Sequence, residues 1–176
     1  MSGASAEGAT GVRRPASFAP LRDDVADVLA RINYATMTTV DRKGRPRSRL
    51  LIAVWELDGD RPVGWLATFR TPVKVAHLAH NPHATFSYWS PRQDVVSFDT
   101  VAEWVEDPEV KRRVWELYRT GSPAGVGYDP QPFWPAGPDG PGFHVLRLDP
   151  YRVQVLRGRE LAAGVAPRIW RGEDRA

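Results

Sequence analysis

The strongest constraint in this sequence is a run of short β-rich segments separated by turns too short to hold a crossover. Residues 34–40 are rich in Thr and Val, and the polar turn Asp41-Arg42-Lys43-Gly44-Arg45-Pro46 returns the chain into a second such segment over 48–57. A further turn, Asp58-Gly59-Asp60-Arg61-Pro62, leads into a third over 63–69. Parallel neighbours need a connection of a dozen or more residues, whereas antiparallel ones need only a hairpin, so the sheet begins as a meander. More β-rich segments follow at 84–89 and 95–105, then a closing pair at 143–148 and 152–156 around Asp149-Pro150. Inward alternation in 95–105 is expected on Val96 and Phe98, with the opposite phase as the alternative.

Helical character is confined to short stretches. Leu21, Val25, Val28, Leu29 and Ile32 recur at helical spacing and predict one amphipathic helix covering an edge or end of the sheet. Residues 72–80 form a second, stopped by Asn81-Pro82, and Asp107-Pro108 opens a third that runs to about residue 118. Six or seven strands with two short interstrand helices point to a mainly β fold, an antiparallel barrel.

At 176 residues the chain has room for one domain. Residues 1–18 lack apolar periodicity and are expected to be a disordered N-terminal arm, residues 19–158 the folded domain, and residues 159–176 a weakly ordered tail. Residues 119–142 are rich in Gly and Pro and include Tyr128, Phe133 and Trp134; a loop of that length is functional or tied down by its own aromatics. With no apolar run of 18 residues and no apolar signal-peptide core, no membrane span and a cytoplasmic location are expected. The absence of cysteine excludes a disulfide framework, thiolate metal ligation and a Cys nucleophile. A net charge of only +3 permits nucleic acid without demanding it, and no nucleic-acid partner is expected.

The strongest chemical signal is Thr68-Phe69-Arg70-Thr71-Pro72-Val73-Lys74, a strand running into a helix. Thr71 occupies the N-cap position, Pro72 the favoured first helical position, and Lys74 the first turn. A cation there opposes the helix dipole unless an anion lies beside it. Free backbone N–H groups, a Thr hydroxyl, Arg70 and Lys74 together make a phosphate cradle; the alternative is a capped helix with two solvated cations. Arg47 and Arg49 share one face of a strand and either meet a ligand or lie exposed. The segment Ser87-Tyr88-Trp89-Ser90-Pro91-Arg92-Gln93 sets aromatics beside an amide able to pair with an imide-like ring edge, although Tyr88 and Trp89 alone also suit a core or interface.

In combination these stretches resemble the pyridoxamine 5′-phosphate oxidase-like family of FMN-binding split barrels, in its general-stress-protein-like branch. The resemblance is carried by Ala35-Thr36-Met37-Thr38-Thr39-Val40-Asp41 with Gly44-Arg45-Pro46, by Thr68 to Lys74 with Leu78 and Asn81-Pro82, by Tyr88-Trp89 with Arg92-Gln93, and by Phe133-Trp134-Pro135 with Gly137-Pro138-Asp139. It covers residues 22–157. It implies a homodimer of six-stranded split barrels with flanking helices and two flavin sites at the subunit interface. Arg70, Thr71 and Lys74 would hold the FMN phosphate, and Arg49, Leu50 and Leu51 would line the isoalloxazine. Thr68 would approach the polar edge of the ring, and Gln93 would match the family's glutamine near the cofactor. Arg49 and Gln93 would then tune the ring electronically.

The implied activity is a flavin oxidoreductase acting on a small molecule, with the hydride or electron chemistry carried by the cofactor and no catalytic side chain. Related split barrels bind the deazaflavin coenzyme F-420 or haem, so a deazaflavin-dependent reductase and a non-catalytic flavin- or haem-binding stress protein are the alternatives. Pyridoxamine phosphate oxidases themselves carry a C-terminal Arg-x-His motif, where this chain has Arg168-Ile169-Trp170-Arg171, so the vitamin substrate is not implied. His77, His80 and His83 are interrupted by Pro82, and no metal site is expected from them. Neither a Gly-x-Ser-x-Gly elbow nor a Walker loop is present.

Overall fold

A computed structural model describes residues 17–121 and 128–172, so the expected arm, as far as residue 16, lies outside the described residues, as do 122–127 of the Gly/Pro-rich segment. In chain order the elements are α1 (Ala19–Leu29), β1 (Ala35–Val40), β2 (Pro46–Leu51), β3 (Val54–Glu56), β4 (Val63–Thr68) and α2 (Pro72–His80), then β5 (His83–Trp89), β6 (Val95–Val105), α3 (Pro108–Gly121), β7 (His144–Leu156), α4 (Gly158–Ala162) and β8 (Arg168–Arg171). The fold is mainly β, with short helices. Its strands form one eight-stranded sheet of order β2-β1-β5-β6-β7-β4-β3, with β8 on β7, and every pairing is antiparallel. Among the described residues no helix is long and apolar enough to cross a membrane.

Three differences from the sequence expectation explain how the sheet closes and why it has eight strands instead of six. The segment 48–57 is two strands: β2 pairs with β1 at one edge of the sheet and β3 with β4 at the other, with Ile52 and Ala53 between them. Three Cα–Cα steps span about 11 Å at most, so the sheet must curl until its edges nearly meet. The expected closing pair is a single 13-residue strand, β7. Its register with β6 shifts between Asp99 and Thr100, and a bulge of this kind tolerates Pro150, which has no N–H to give the ladder. Thirdly, structure continues past residue 158, where a weakly ordered tail is expected. There α4 and β8 carry Trp170, which is buried and meets Phe18 edge-on at 5.7 Å. One buried ring among arginines leaves no periodicity to read.

Alternation in β6 buries Val96, Phe98, Thr100 and Ala102 inside the barrel. Trp55 stacks on Phe98 at 3.7 Å and donates Nε1–H to the Tyr88 hydroxyl at 2.7 Å. Gly64 is required opposite it, because a Cβ there would stand 2.5 Å from the Trp55 ring. Phe18, Leu21, Val25 and Val28 from the α1 segment join this core. A second cluster forms where α3 sets Val114, Trp115 and Tyr118 against Trp65, Trp134 and Phe143. Trp134 anchors the aromatic segment there by donating Nε1–H to the Gly142 carbonyl at 2.8 Å.

An ion-pair cluster binds α1 to the C-terminal segment. Arg157 contacts Asp24, Asp27 and Asp94, Arg31 contacts Asp27 and Asp94, and Arg168 contacts Asp24 and Glu160. Gly158 donates its N–H to Asp94 at 3.0 Å, and a Cβ at that position would stand 1.8 Å from the Arg92 carbonyl oxygen.

Candidate functional site

The strand-to-helix junction forms where expected, with Thr71 extended and Pro72 opening α2. The Thr71 side chain makes no capping bond, however. Its backbone N–H instead turns back to the Phe69 carbonyl at 2.9 Å, and its own carbonyl accepts from Val75 N–H at 3.0 Å. Lys74 does not face solvent: its Nζ donates to Thr68 Oγ1 and, at 3.0 Å, to the Phe69 carbonyl, which leaves it 3% exposed. Burial, reinforced by the positive charge of Arg49, pulls the Lys74 pKa down to about 8.

Arg49 enters the same region from β2. Its Nη2–H donates to Thr39 Oγ1 at 2.9 Å, and Nη1 approaches Met37 Sδ at 3.8 Å. Burial, then the charge of Arg47, lowers the Arg49 pKa as well. Among the described residues no carboxylate forms an ion pair with Arg49 or Lys74. Thr39 is fully buried and its Oγ1 lies 3.0 Å from His77 Nδ1. The sequence did not single out Thr39 or His77 as partners of these cations. The available signals are faint: Thr39 shares the inward phase of β1 with Ala35 and Met37, and His77 follows Lys74 by three residues on a helix, hence on the same face.

The remaining expected site residues are spread out. Arg70 forms an ion pair with Glu106 and lies 4.6 Å over the Trp104 ring. Leu51 packs on the core, whereas alternation sends Leu50 to the opposite face, where it is 68% exposed. Gln93 sits in the β5–β6 turn at φ 63°, its Nε2–H directed at the Pro91 carbonyl. Seven-residue β5 separates that turn from the C-terminal end of α2, a distance of about 20 Å at the rise of a strand. His144 pairs with Thr68 in register, and burial followed by the charges of Arg70 and Lys111 lowers its pKa. His77 and His83 have separate partners, with His83 Nδ1 lying 2.8 Å from Asn81 Oδ1. A cavity of about 460 Å³ opens between the β1–β2 hairpin and α2, lined by Asp41, Arg42, Lys43 and Arg47 from the hairpin and by Val73 and His77 from α2.

An antiparallel sheet whose edges are joined through Ile52 and Ala53, with a short helix after β4 holding an enclosed cation, defines the split-barrel class. The sequence profile of pyridoxamine 5′-phosphate oxidase matches residues 21–157, and the chain belongs to that family. Among solved structures, the fold is similar to a Clostridium acetobutylicum protein related to general stress protein 26 of Bacillus subtilis: 14% identity, 86% of this chain and 94% of that one covered, TM-score 0.66. A pyridoxamine 5′-phosphate oxidase-related, FMN-binding protein from Nostoc punctiforme is similar over 90% of this chain and 100% of its own, with 18% identity and a TM-score of 0.61. A conserved hypothetical protein from Mycobacterium tuberculosis is 25% identical over 88% of this chain and 93% of its own, with a TM-score of 0.59. No curated protein matches the sequence.

Proposed function

We propose that this chain binds FMN through its phosphate at Lys74 and Arg49 and acts as a flavin oxidoreductase on a small molecule. The observation that carries this reading is the buried Lys74 beside the half-buried Arg49, with no carboxylate paired to either among the described residues. Holding Lys74 out of water beside a second cation is unfavourable, and a phosphate offsets both at once. The first backbone N–H groups of α2 add to the same field. That one split barrel of similar fold binds FMN supports the choice of anion. The flavin supplies the hydride or electron transfer when bound, while the protein supplies position, charge and exclusion of water.

In this reading Thr68 holds the Lys74 ammonium through its hydroxyl, and Arg70 exchanges Glu106 for the phosphate when the cofactor enters. Gln93, set beyond the length of β5 from the C-terminal end of α2, would reach the cofactor from the second subunit of a homodimer. The exposed side chains Tyr34, Leu50 and Trp89, on adjoining strands or just before one, favour such an interface. Sedimentation of the purified protein tests the dimer.

Absorbance titrations with FMN, coenzyme F-420 and haem test the cofactor. FMN is expected to bind at micromolar concentration, and the Arg49→Ala/Lys74→Ala double variant should lose about a hundredfold in affinity, near 2.7 kcal/mol. Binding of F-420 or haem without FMN would replace this reading with the corresponding alternative. Unchanged affinity in the double variant would move the phosphate to another site, with Arg70 next in line.

A further inference from the structure

We propose that Thr39 and His77 are positioning residues for Arg49: a buried relay from α2 through β1 to β2 that sets the guanidinium beside Lys74 and requires the His77 tautomer with its proton on Nε2. The proposal rests on the reading that Arg49 and Lys74 share an anion.

The direction of each bond follows from what each group can do. A guanidinium only donates, so at 2.9 Å Thr39 Oγ1 is the acceptor for Arg49. The Thr39 proton is then free for a different partner, and Thr39 is fully buried. His77 Nδ1 lies 3.0 Å away and satisfies it by accepting. Were Nδ1 to carry a proton, Thr39 Oγ1 would receive two donors and its own proton would be left without a partner in the interior, which is disfavoured. Nδ1 is therefore bare, and the neutral ring bears its proton on Nε2.

The relay answers a problem that the two cations pose. Arg49 and Lys74 carry like charges and repel, which adds to burial in lowering the Lys74 pKa, and no hydrogen bond joins their side chains among those the structure shows. A long arginine side chain left to itself would gain rotamer freedom and hydration by turning away. Its other side-chain contact, with Met37 Sδ at 3.8 Å, is a weak acceptor. Thr39 supplies the strong one, and His77 shares with Lys74 the helix that carries the second cation. One chain of hydrogen bonds thus registers β2 against α2, and the spacing of the charges is set before any ligand arrives.

Two measurements on the full chain test this. In mildly alkaline solution without cofactor, the side-chain ¹⁵N spectrum of His77, assigned by its loss in His77→Gln, should show the Nε2–H tautomer; the Nδ1–H tautomer would overturn the relay. FMN affinity should fall roughly tenfold in Thr39→Val, the loss of one hydrogen bond to a charged group, and return to within about twofold of the parent in Thr39→Ser. Equal affinity in Thr39→Val, or equal loss in Val and Ser, would overturn the role. Should Thr39→Val fail to fold, His77→Leu is expected to weaken binding similarly and His77→Asn, which keeps an acceptor near the Nδ1 position, to restore it. If the parent protein binds no FMN, the proposed function fails while the tautomer still decides whether the relay exists.

Discussion

Two groups of cations at different places on the barrel have opposite surroundings. Where α1 meets the C-terminal segment, Arg31, Arg157 and Arg168 face Asp24, Asp27, Asp94 and Glu160. Beside α2, Arg49 and Lys74 are drawn together over Thr39 and Thr68 with no acidic residue paired to either among the described residues. In the first cluster the charge is balanced within the chain, and its work is to hold the α1 and C-terminal segments on the barrel. In the second the balance is left open. A buried lysine beside a half-buried arginine, without a counter-charge, makes the unliganded protein less stable, and such a feature is consistent with a ligand that completes it.

The largest expected effect lies in the balanced cluster. Replacing Arg157, 8% exposed, by Met leaves the buried Asp94 carboxylate short of a cation and should cost about 3 kcal/mol in chemical unfolding. The open pair should behave in the reverse sense. Lys74→Met removes an uncompensated buried charge and should stabilise the cofactor-free protein by about 1 kcal/mol while weakening its FMN affinity. A loss of stability of the size expected for Arg157→Met would erase the distinction between the two clusters.

Acid and alkali should separate them further. The bonds from Arg157 and Arg31 hold the Asp27 carboxyl below its ordinary value. At Asp94 burial pushes upward, but the Gly158 N–H, Arg31 and Arg157 outweigh it, and this carboxyl is lowered too. Their stabilisation is complete above about pH 3.9, the ordinary aspartate value, and is lost as pH falls through their folded-state values. At Lys74 it is the charged form that the fold disfavours. Its folded value of about 8 lies below its unfolded one, so the native state binds fewer protons between them. Stability of the cofactor-free protein should therefore rise from about pH 8 towards pH 10.4. Thermal melts across pH check both trends, and saturating FMN should remove the alkaline rise by keeping Lys74 charged. The smallest effect is expected from Arg119→Ala, which breaks an exposed pair with Glu116 and should change stability by no more than about 0.5 kcal/mol.

Legibility followed the range of the interaction. The Thr71-Pro72 junction, the amphipathic faces of α1 and α3, and the Gly44 turn, at φ 75°, are local events, and residue types a few positions apart announce them. The family resemblance likewise rests on short motifs and agrees with the match over residues 21–157. Thr39 and His77 are 38 positions apart, and each has an ordinary neighbourhood; only the packing of α2 on β1 makes them partners. The split of residues 48–57 into β2 and β3 was invisible for a similar reason: both halves have strand composition, and the break comes from the two edges each strand must serve.

The sequence by itself determined an antiparallel, mainly β chain with short helices, a Pro-started α2 and a lysine in its first turn, because strand period, turn chemistry and helix caps act over a few residues. Tertiary structure alone decided which cations would be neutralised. Arg157 and Arg49 are alike as residues, yet folding brings Asp24, Asp27 and Asp94 to one and a threonine to the other. Charge balance is a property of distances, which are settled only when the sheet curls and its helices dock.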